Sequence, residues 1–148
     1  MNPTNERPIP WKAAIAGFIA ATALFLARDL LAADPPPPTT VKTAFSEKLP
    51  NVPGKTLTGI HVTYPPGAKS SSHAHAGSVY AYVLSGKVLS ENSATGPARV
   101  YSAGEGFFEP PGSVHTISEN ASDSEPAELL AIFVADDGAE LSKPAPRK

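Results

Sequence analysis

After residue 39 the chain is a series of short apolar runs, separated by turn residues at intervals of about 8 to 12 positions. The predicted strands are 57–64, 78–84, 87–91, 98–101, 106–109, 115–118 and 129–134. Pro- and Gly-containing turns separate them, and Ser85-Gly86 has the form of a tight hairpin turn. Helical periodicity with capping residues does not occur in this part of the sequence. The pattern therefore predicts an all-β sandwich or closed barrel.

The N-terminal part of the chain has a different pattern. An uncharged run occupies residues 13–27 and ends at Arg28, and residues 31–33 (LAA) supply small side chains just before Asp34. This layout is typical of a secretory signal peptide. A membrane-spanning helix needs about 20 apolar residues, so the run is short for one. A retained anchor stays the alternative, because the long side chain of Arg28 can reach the membrane surface.

Four consecutive prolines at 35–38 follow this segment, and such a run favours an extended polyproline helix. We therefore predict a signal peptide or membrane anchor at 1–33, a Pro-rich linker at 34–41, a β-barrel domain at 42–136 and a polar, loosely held C-terminal tail at 137–148. The expected location is the periplasm. Membrane contact is expected only through the N-terminal segment, if that segment is not cleaved.

Composition and charge exclude several classes of function. The formal net charge is −2, so the chain has no basic surface of the kind that binds nucleic acid. Cysteine is absent, which removes disulfides, thiolate metal sites and cysteine nucleophiles together. The chemistry has to come from other side chains, and a small molecule is the expected partner.

The chain has four histidines, and their spacing points to a metal site. His73 and His75 are two residues apart, so on a strand their imidazoles lie on the same face and reach one ion. A third imidazole from His115 would complete a three-nitrogen site. The His73-Ala74-His75 pair alone is equally compatible with surface histidines, since the preceding Ser70–Ser72 segment is polar. We interpret His61, alone on its predicted strand, as structural.

Glycine, proline and asparagine residues at fixed distances frame the three histidines. They are Gly67, Gly86, Gly104, Pro110, Gly112 and Asn120. In order and in spacing this frame resembles the two signature motifs of the cupin superfamily, over about residues 56–134. The resemblance implies a small jelly-roll barrel that holds a metal ion inside its mouth, and it suggests a homodimer.

One position departs from the cupin pattern. The first motif of the family usually carries a glutamate ligand three or four residues after its second histidine, where this chain has Val79 and Tyr80. Val79 is expected to point inward as part of an apolar wall. The carboxylate that could fill the gap is Glu109, six residues before His115 in an otherwise aromatic strand. If Glu109 is buried it needs a partner.

Three interpretations of the site follow. In the first it is a three-histidine centre, as in the cupins that resemble cysteine or diketone dioxygenases. In the second Glu109 joins it, either as a ligand or through a hydrogen bond to a metal-bound water. In the third the barrel has kept its shape and lost tight metal binding. Glu109 could also be an ordinary solvent-facing strand residue.

The leading hypothesis for function is an exported mononuclear metalloenzyme, a non-haem iron dioxygenase that acts on a small organic molecule. His73, His75 and His115 would bind one divalent ion, and Glu109 would act as the catalytic acid or base. Imidazole ligands suit Fe, Zn, Mn, Cu or Ni, so the ligands do not identify the metal. The alternative is a non-catalytic periplasmic module that binds a small molecule or metal. A metal-independent isomerase is a third hypothesis, which the three-histidine frame argues against.

Overall fold

The computed structural model describes residues 38–146, so the predicted signal peptide or anchor at 1–33 lies outside the described residues. The strands are β1 (Thr40–Lys48), β2 (Lys55–Tyr64), β3 (His73–His75), β4 (Ser78–Ser85), β5 (Lys87–Asn92), β6 (Gly96–Ser102), β7 (Gly106–Glu109), β8 (Val114–Asn120), β9 (Ala127–Asp136) and β10 (Ser142–Pro144). Within 38–146, no helix is long and apolar enough to cross a membrane.

The strands form two five-stranded antiparallel sheets. The first has the order β1-β2-β9-β4-β7 and the second has the order β10-β3-β8-β5-β6. Neighbours within a sheet are mostly distant in sequence, and the chain crosses between the sheets several times, as in a jelly roll. The structure confirms the predicted all-β barrel.

Strict alternation along the strands builds the core. On β9 every second side chain is buried, from Ala127 to Ala135, and the residues between them are half-buried. On β4 the same alternation buries Val79 and leaves Tyr80 and Tyr82 on the outer face. Because side chains on a strand point alternately to opposite faces, a period of two puts the apolar set inside the barrel.

The register of the first sheet arranges its inward side chains in rows. One row contains Thr58, Phe133, Val79 and Glu109. The next row, here called the alanine row, contains Ile60, Ala131, Ala81 and Phe107. Residues directly opposite each other share a face of the sheet, and successive inward rows are about 7 Å apart.

The hairpin predicted at Ser85-Gly86 does not form: a tight turn joins β4 to β5, but β4 pairs with β7 and β9 in the first sheet, whereas β5 pairs with β6 and β8 in the second. Gly86 adopts a φ of 69°, in the left-handed region that favours glycine. A Cβ atom added at this position would clash with the carbonyl oxygen of Pro126. Glycine is therefore required here both by the turn and by the close approach of a neighbouring segment.

Besides the three-residue β3, which carries His73 and His75, two longer-range features were not predicted, the strands β1 and β10. β1 is exposed along its whole length and is held by backbone pairing to β2, with the ring of Phe45 lying over Gly59. β10 lies in the tail that was expected to be loosely held, and for 142–144 that expectation is wrong, because these residues pair with His73–His75 of β3. Both strands are held by backbone hydrogen bonds more than by apolar burial, so they have little hydrophobic pattern to detect.

Candidate metal centre

The structure brings together the three histidines that the sequence indicated. His73 on β3 lies directly opposite His115 on β8, and His75 is the next residue on the same face of β3. One ring nitrogen from each can be chosen so that all three nitrogens lie within 4.8 Å of one another. The three rings therefore face one point between the sheets and could hold a metal ion.

Backbone carbonyls fix the orientation of two of these rings. The Nδ1 atom of His73 lies 2.7 Å from the carbonyl oxygen of Ser71, and the Nδ1 atom of His75 lies 3.0 Å from that of Leu141. A carbonyl oxygen can only accept a hydrogen bond, so each Nδ1 carries the proton and donates it. Each neutral ring then keeps a lone pair on Nε2, the form in which imidazole binds a metal.

His115 is the most deeply placed of the three. Its Nε2 atom lies 2.8 Å from the hydroxyl oxygen of Ser90, and its Nδ1 atom lies 3.2 Å from Oε2 of Glu109. Burial, with a smaller contribution from the neighbouring imidazoles of His73 and His75, lowers the pKa of His115 to about 3. Burial also lowers the pKa of His75. Both rings are therefore neutral at physiological pH and available as ligands.

Glu109 adjoins this cluster and is not a solvent-facing residue. It lies on β7 directly opposite Val79 on β4, and both side chains are buried on the inner face. Its Oε2 atom is 3.2 Å from Nδ1 of His115 and 3.8 Å from Nε2 of His75. Atoms that bind one ion at about 2.1 Å are about 3.0 to 3.4 Å apart in octahedral or tetrahedral geometry. The distances from Oε2 of Glu109 to the two imidazole nitrogens are thus close to the distance expected between two ligand atoms of one shared ion.

The contact between Glu109 and His115 is not an ion pair. Burial raises the pKa of Glu109 to about 7, and the hydrogen bond from Asn92 only partly offsets this effect. Because burial also disfavours the imidazolium form of His115, the imidazole is neutral, and the carboxyl group is only about half ionised at neutral pH. A divalent cation between them would supply the positive charge that a buried carboxylate lacks.

Asn92 holds the carboxylate in place. Its side-chain nitrogen donates hydrogen bonds to Oε2 of Glu109 at 3.1 Å and to the hydroxyl of Ser113 at 2.9 Å. Its side-chain oxygen accepts a hydrogen bond from the backbone nitrogen of Ala94 at 3.0 Å, which fixes which end of the amide faces Glu109. Asn92 lies one residue beyond the predicted strand 87–91, so it was not among the predicted site residues. The alternation of inward residues from Val88 through Ser90 could have extended the strand to it.

The remaining histidine lies apart from the cluster. His61 is on the outer side of β2, where its Nε2 atom is 3.0 Å from Oε2 of Glu128 on the neighbouring strand. The ring is partly exposed to solvent. This position agrees with the interpretation of His61 as a structural residue.

A cavity of about 460 Å³ opens beside the imidazoles. The first sheet supplies a mainly apolar wall, and the second sheet supplies the histidines and several serine hydroxyls. The wall residues include Ile60, Val62, Leu129, Ala131 and Phe133. Ser70–Ser72 and the β10 segment also line the cavity. A volume of this size suits a small organic molecule rather than a macromolecule.

The model of the family described as "Cupin domain" matches residues 60–133, half of the chain. The chain therefore belongs to the cupin family. The matched range contains all three clustered histidines and Glu109, and it ends within β9. The resemblance inferred from the glycine and histidine frame is confirmed.

Solved structures with the same fold are numerous. A conserved protein with a double-stranded β-helix domain from Klebsiella pneumoniae is 21% identical, with 80% of this chain and 94% of that chain covered and a TM-score of 0.54. A cupin-like protein from Thermotoga maritima is 23% identical, with 72% and 75% covered and a TM-score of 0.56. A chain from crystal structures of DMSP lyases is 18% identical, with 61% and 44% covered and a TM-score of 0.53. At these identities the likeness shows the fold alone. No curated protein matches the chain.

Proposed function

We propose that this protein is a mononuclear metal-dependent enzyme that acts on a small organic molecule. One divalent ion would be held by His73, His75 and His115, with Glu109 as a fourth ligand or as the group that orients water beside the ion. The observation that carries the proposal is the buried carboxylate of Glu109, 3.2 Å from one imidazole and 3.8 Å from another.

The donor set fits a divalent transition metal. Two imidazoles have their Nδ1 protons directed at carbonyl oxygens, so their Nε2 lone pairs are available. The third is kept neutral by burial. A bound ion would act as a Lewis acid and, if redox-active, would allow reaction of the substrate with O₂. Nitrogen ligands and one carboxylate suit iron, and also Zn, Mn, Cu or Ni.

The surroundings of Glu109 support a role in holding or moving a proton. Since burial brings its pKa to about 7, the carboxyl group is close to the balance point between its two protonation states at neutral pH. The amide of Asn92 fixes the position of Oε2. The apolar wall of the cavity limits the access of water to the reacting groups. These three features together support a role for Glu109 as a general acid or base.

The reaction that we favour is oxidation of the small molecule by O₂, as in a non-haem iron dioxygenase. Three neutral ligands leave a divalent ion most of its charge, which favours an anionic or enolate-like substrate. We further propose that the protein is exported and works in the periplasm. The apolar run at 13–27, followed by small residues, supports this location.

A second reaction class is supported by the contact between Glu109 and His115. A carboxyl group whose pKa is about 7, held 3.2 Å from a neutral imidazole, can take a proton from a substrate carbon and return it, which is what an elimination or isomerisation requires. Such a reaction consumes no O₂. The non-catalytic binding module is the remaining alternative, and it predicts ligand binding without turnover.

One set of measurements separates these functions. The full chain is loaded in turn with Fe(II), Zn(II), Mn(II), Cu(II) and Ni(II) and incubated with small carboxylates, thiols and diketones, with His73→Ala/His75→Ala as the control. Metal-dependent O₂ uptake that the control lacks supports the dioxygenase. Loss of substrate without O₂ uptake supports elimination or isomerisation. A rise in Tm on addition of ligand, without turnover of any compound, indicates a binding module.

A further inference from the structure

The outer face of the first sheet is apolar at its centre. Outward side chains of β9, β4 and β7 form two adjacent rows there, and none of them is charged. The first row contains Ile132, Tyr80 and Phe108, and the second contains Leu130, Tyr82 and Gly106. Tyr80, Tyr82 and Phe108 are 47%, 40% and 47% exposed. These six residues are here called the aromatic face.

The second sheet has a polar outer face instead. Lys87 and Glu91 point outward from β5, and Glu119 on β8 lies opposite Leu89. Polar residues on the solvent side are usual for an antiparallel sheet that packs on one side only. The first sheet departs from this rule, and a contiguous exposed apolar surface is typical of a site where another molecule binds.

Two aromatic rings on this side of the first sheet are held against glycines. A Cβ atom added at Gly106 would clash with the hydroxyl group of Tyr80, and one added at Gly59 would clash with the ring of Phe45. The two rings therefore lie across the sheet in fixed orientations before a partner binds. Association then costs less side-chain entropy, because fewer rotamers are lost.

Charged residues surround the aromatic face. Lys55 pairs with Asp136 near one end of the sheet, and Nε2 of His61 lies 3.0 Å from Oε2 of Glu128 near the other end. An apolar centre with a polar rim is the usual arrangement of a protein–protein interface, and Tyr and Phe are enriched in such centres. The surface therefore has the composition of an interface with another protein.

The charges on β1 indicate which protein is the partner. A β-bulge between Thr43 and Phe45 brings Lys42, Phe45 and Glu47 to the same outer face. Phe45 extends the row that contains Ile132, so Lys42 and Glu47 lie on either side of that row. Neither charge has an ion-pair partner within residues 38–146. A two-fold axis along the row would place Lys42 of each copy near the partner's Glu47, so the surface is complementary to a second copy of itself.

The same axis matches the rows on either side of it. Leu130 would face the partner's Val134, and the hydroxyl group of Tyr82 would face that of the partner's Ser78. Apolar side chains thus meet apolar ones, and a phenol meets an alcohol. Sheets that pack face to face are about 10 Å apart, so side chains of the two copies reach one another.

We propose that the aromatic face is the contact surface of a two-fold symmetric dimer of this chain. The row of Ile132, Tyr80 and Phe108 packs against the same row of the partner, and two ion pairs join Lys42 of each copy to the partner's Glu47. The resemblance to cupins implies a dimer and leaves its surface open. The metal-site cavity lies on the inner side of the sheet, so this inference does not rest on the proposed function.

The size of the surface suits a reversible dimer. Five strands about 4.8 Å apart and three rows about 7 Å apart cover about 500 Å² of sheet. Stable interfaces bury about 800 Å² on each partner, and transient ones bury less than about 600 Å². We therefore expect monomer and dimer to exchange at micromolar concentrations.

Charge reversal on β1 tests the symmetry. Sedimentation velocity of the full chain at micromolar concentrations gives the dissociation constant of the dimer. Lys42→Glu and Glu47→Lys each put like charges together at both contacts, and we expect each to weaken the dimer about tenfold. In an equimolar mixture of the two variants, the mixed dimer has only opposite charges at these contacts, so it should form about as tightly as the wild type. Lys87→Glu, on the outer face of the second sheet, is the matched control and should leave the dimer unchanged.

Phe108→Lys tests the apolar centre. It puts two like charges near the axis, and we expect it to abolish dimer formation at the same concentrations. Its Tm should stay close to that of the monomeric charge-reversal variants, because the ring is half exposed. A wild type that is monomeric throughout overturns the inference and leaves the aromatic face to a different molecule. A dimer that persists in Phe108→Lys also overturns it, and so does a dimer that the mixture of charge-reversal variants does not restore.

Discussion

Glu109 lies directly opposite Val79 across the β4–β7 ladder, and both side chains are buried on the inner face of the barrel. Val79 occupies a position where the first cupin motif usually has its glutamate ligand. Cross-strand neighbours have Cβ atoms about 5 Å apart, so a carboxylate on either strand can reach the same space. The structure therefore places a carboxylate at the site from the neighbouring strand.

Moving the carboxylate between these two positions tests this relationship. Val79→Glu alone puts a second carboxyl group beside Glu109 in a buried site, and we expect it to lower the free energy of unfolding by about 2 kcal/mol or more. The exchange Val79→Glu/Glu109→Val keeps one carboxylate, so it should recover most of this loss and bind metal within about tenfold of the wild type. Urea denaturation and metal titration measure the two quantities. An exchange variant no more stable than Val79→Glu would contradict the prediction.

Removing only the charge of Glu109 should weaken metal binding. We expect Glu109→Gln to lower the affinity for Zn(II) by about 10- to 100-fold, whether the carboxylate binds the ion or orients its surroundings. A competition titration with a chromophoric chelator gives the affinities. Glu125→Gln, at an exposed position, is the matched control and should bind like the wild type. Equal affinities for all three proteins would place Glu109 outside the site.

The pH dependence of stability should carry the signature of the two shifted groups. Glu109 has a pKa near 7 in the folded protein and near 4.5 when unfolded, so between these values the folded state binds the extra proton and stability falls as pH rises. His115 has a pKa near 3 when folded and 6.5 when unfolded, so between pH 3 and 6.5 the unfolded state binds the extra proton and stability rises with pH. The two effects oppose each other between pH 4.5 and 6.5.

Comparison with Glu109→Gln isolates the carboxyl contribution. In metal-free protein with EDTA, the variant should gain stability relative to the wild type as pH rises from 4.5 to 7, by at most about 1.4 kcal/mol per pH unit. Outside this window the difference should be constant. Urea denaturation at several pH values provides the measurement. Parallel profiles for the two proteins between pH 4.5 and 7 would show that the pKa of Glu109 is not raised.

The C-terminal segment should contribute to the site through its backbone. Ending the chain after Glu140 removes the carbonyl of Leu141, which accepts the Nδ1 proton of His75, and removes the pairing of β10 with β3. We expect the free energy of unfolding to fall by about 1 kcal/mol, because Leu141 is half-buried against the core, and metal affinity to fall by about tenfold. A chain that ends after Ala145 keeps these contacts and is the control. If both truncations bind metal equally, β10 has no role in orienting His75.

The sequence predicted the fold and the three histidines because both depend on local patterns. Alternation along strands and turn residues define the barrel, and Gly86 adopts the left-handed conformation that its turn requires. The i, i+2 spacing of His73 and His75 fixes a shared face on any strand. The place of Glu109 was left open, because it depends on which strand pairs with β4, and pairing between strands that are distant in sequence has no local signal.

Other features of the site were not predictable for related reasons. Backbone carbonyls of Ser71 and Leu141 orient two of the imidazole rings. Because every residue has a carbonyl, the sequence does not show which carbonyls will accept these hydrogen bonds. A bulge on β8 that turns Ser118 inward adds one residue to the strand without changing its composition. Asn92 lies just past the predicted strand 87–91 and beside a polar stretch, although it is buried and contacts Glu109.

The most direct test of the account is the metal content of the purified full chain compared with His73→Ala/His75→Ala. His61→Ala serves as the control, since this histidine lies on the outer side of β2 and pairs with Glu128. We predict about one equivalent of a divalent transition metal in the wild type and in the control, after loading and desalting, and almost none in the double variant. Equal metal contents in the wild type and the double variant, whether both high or both near zero, would contradict a metal centre at these histidines.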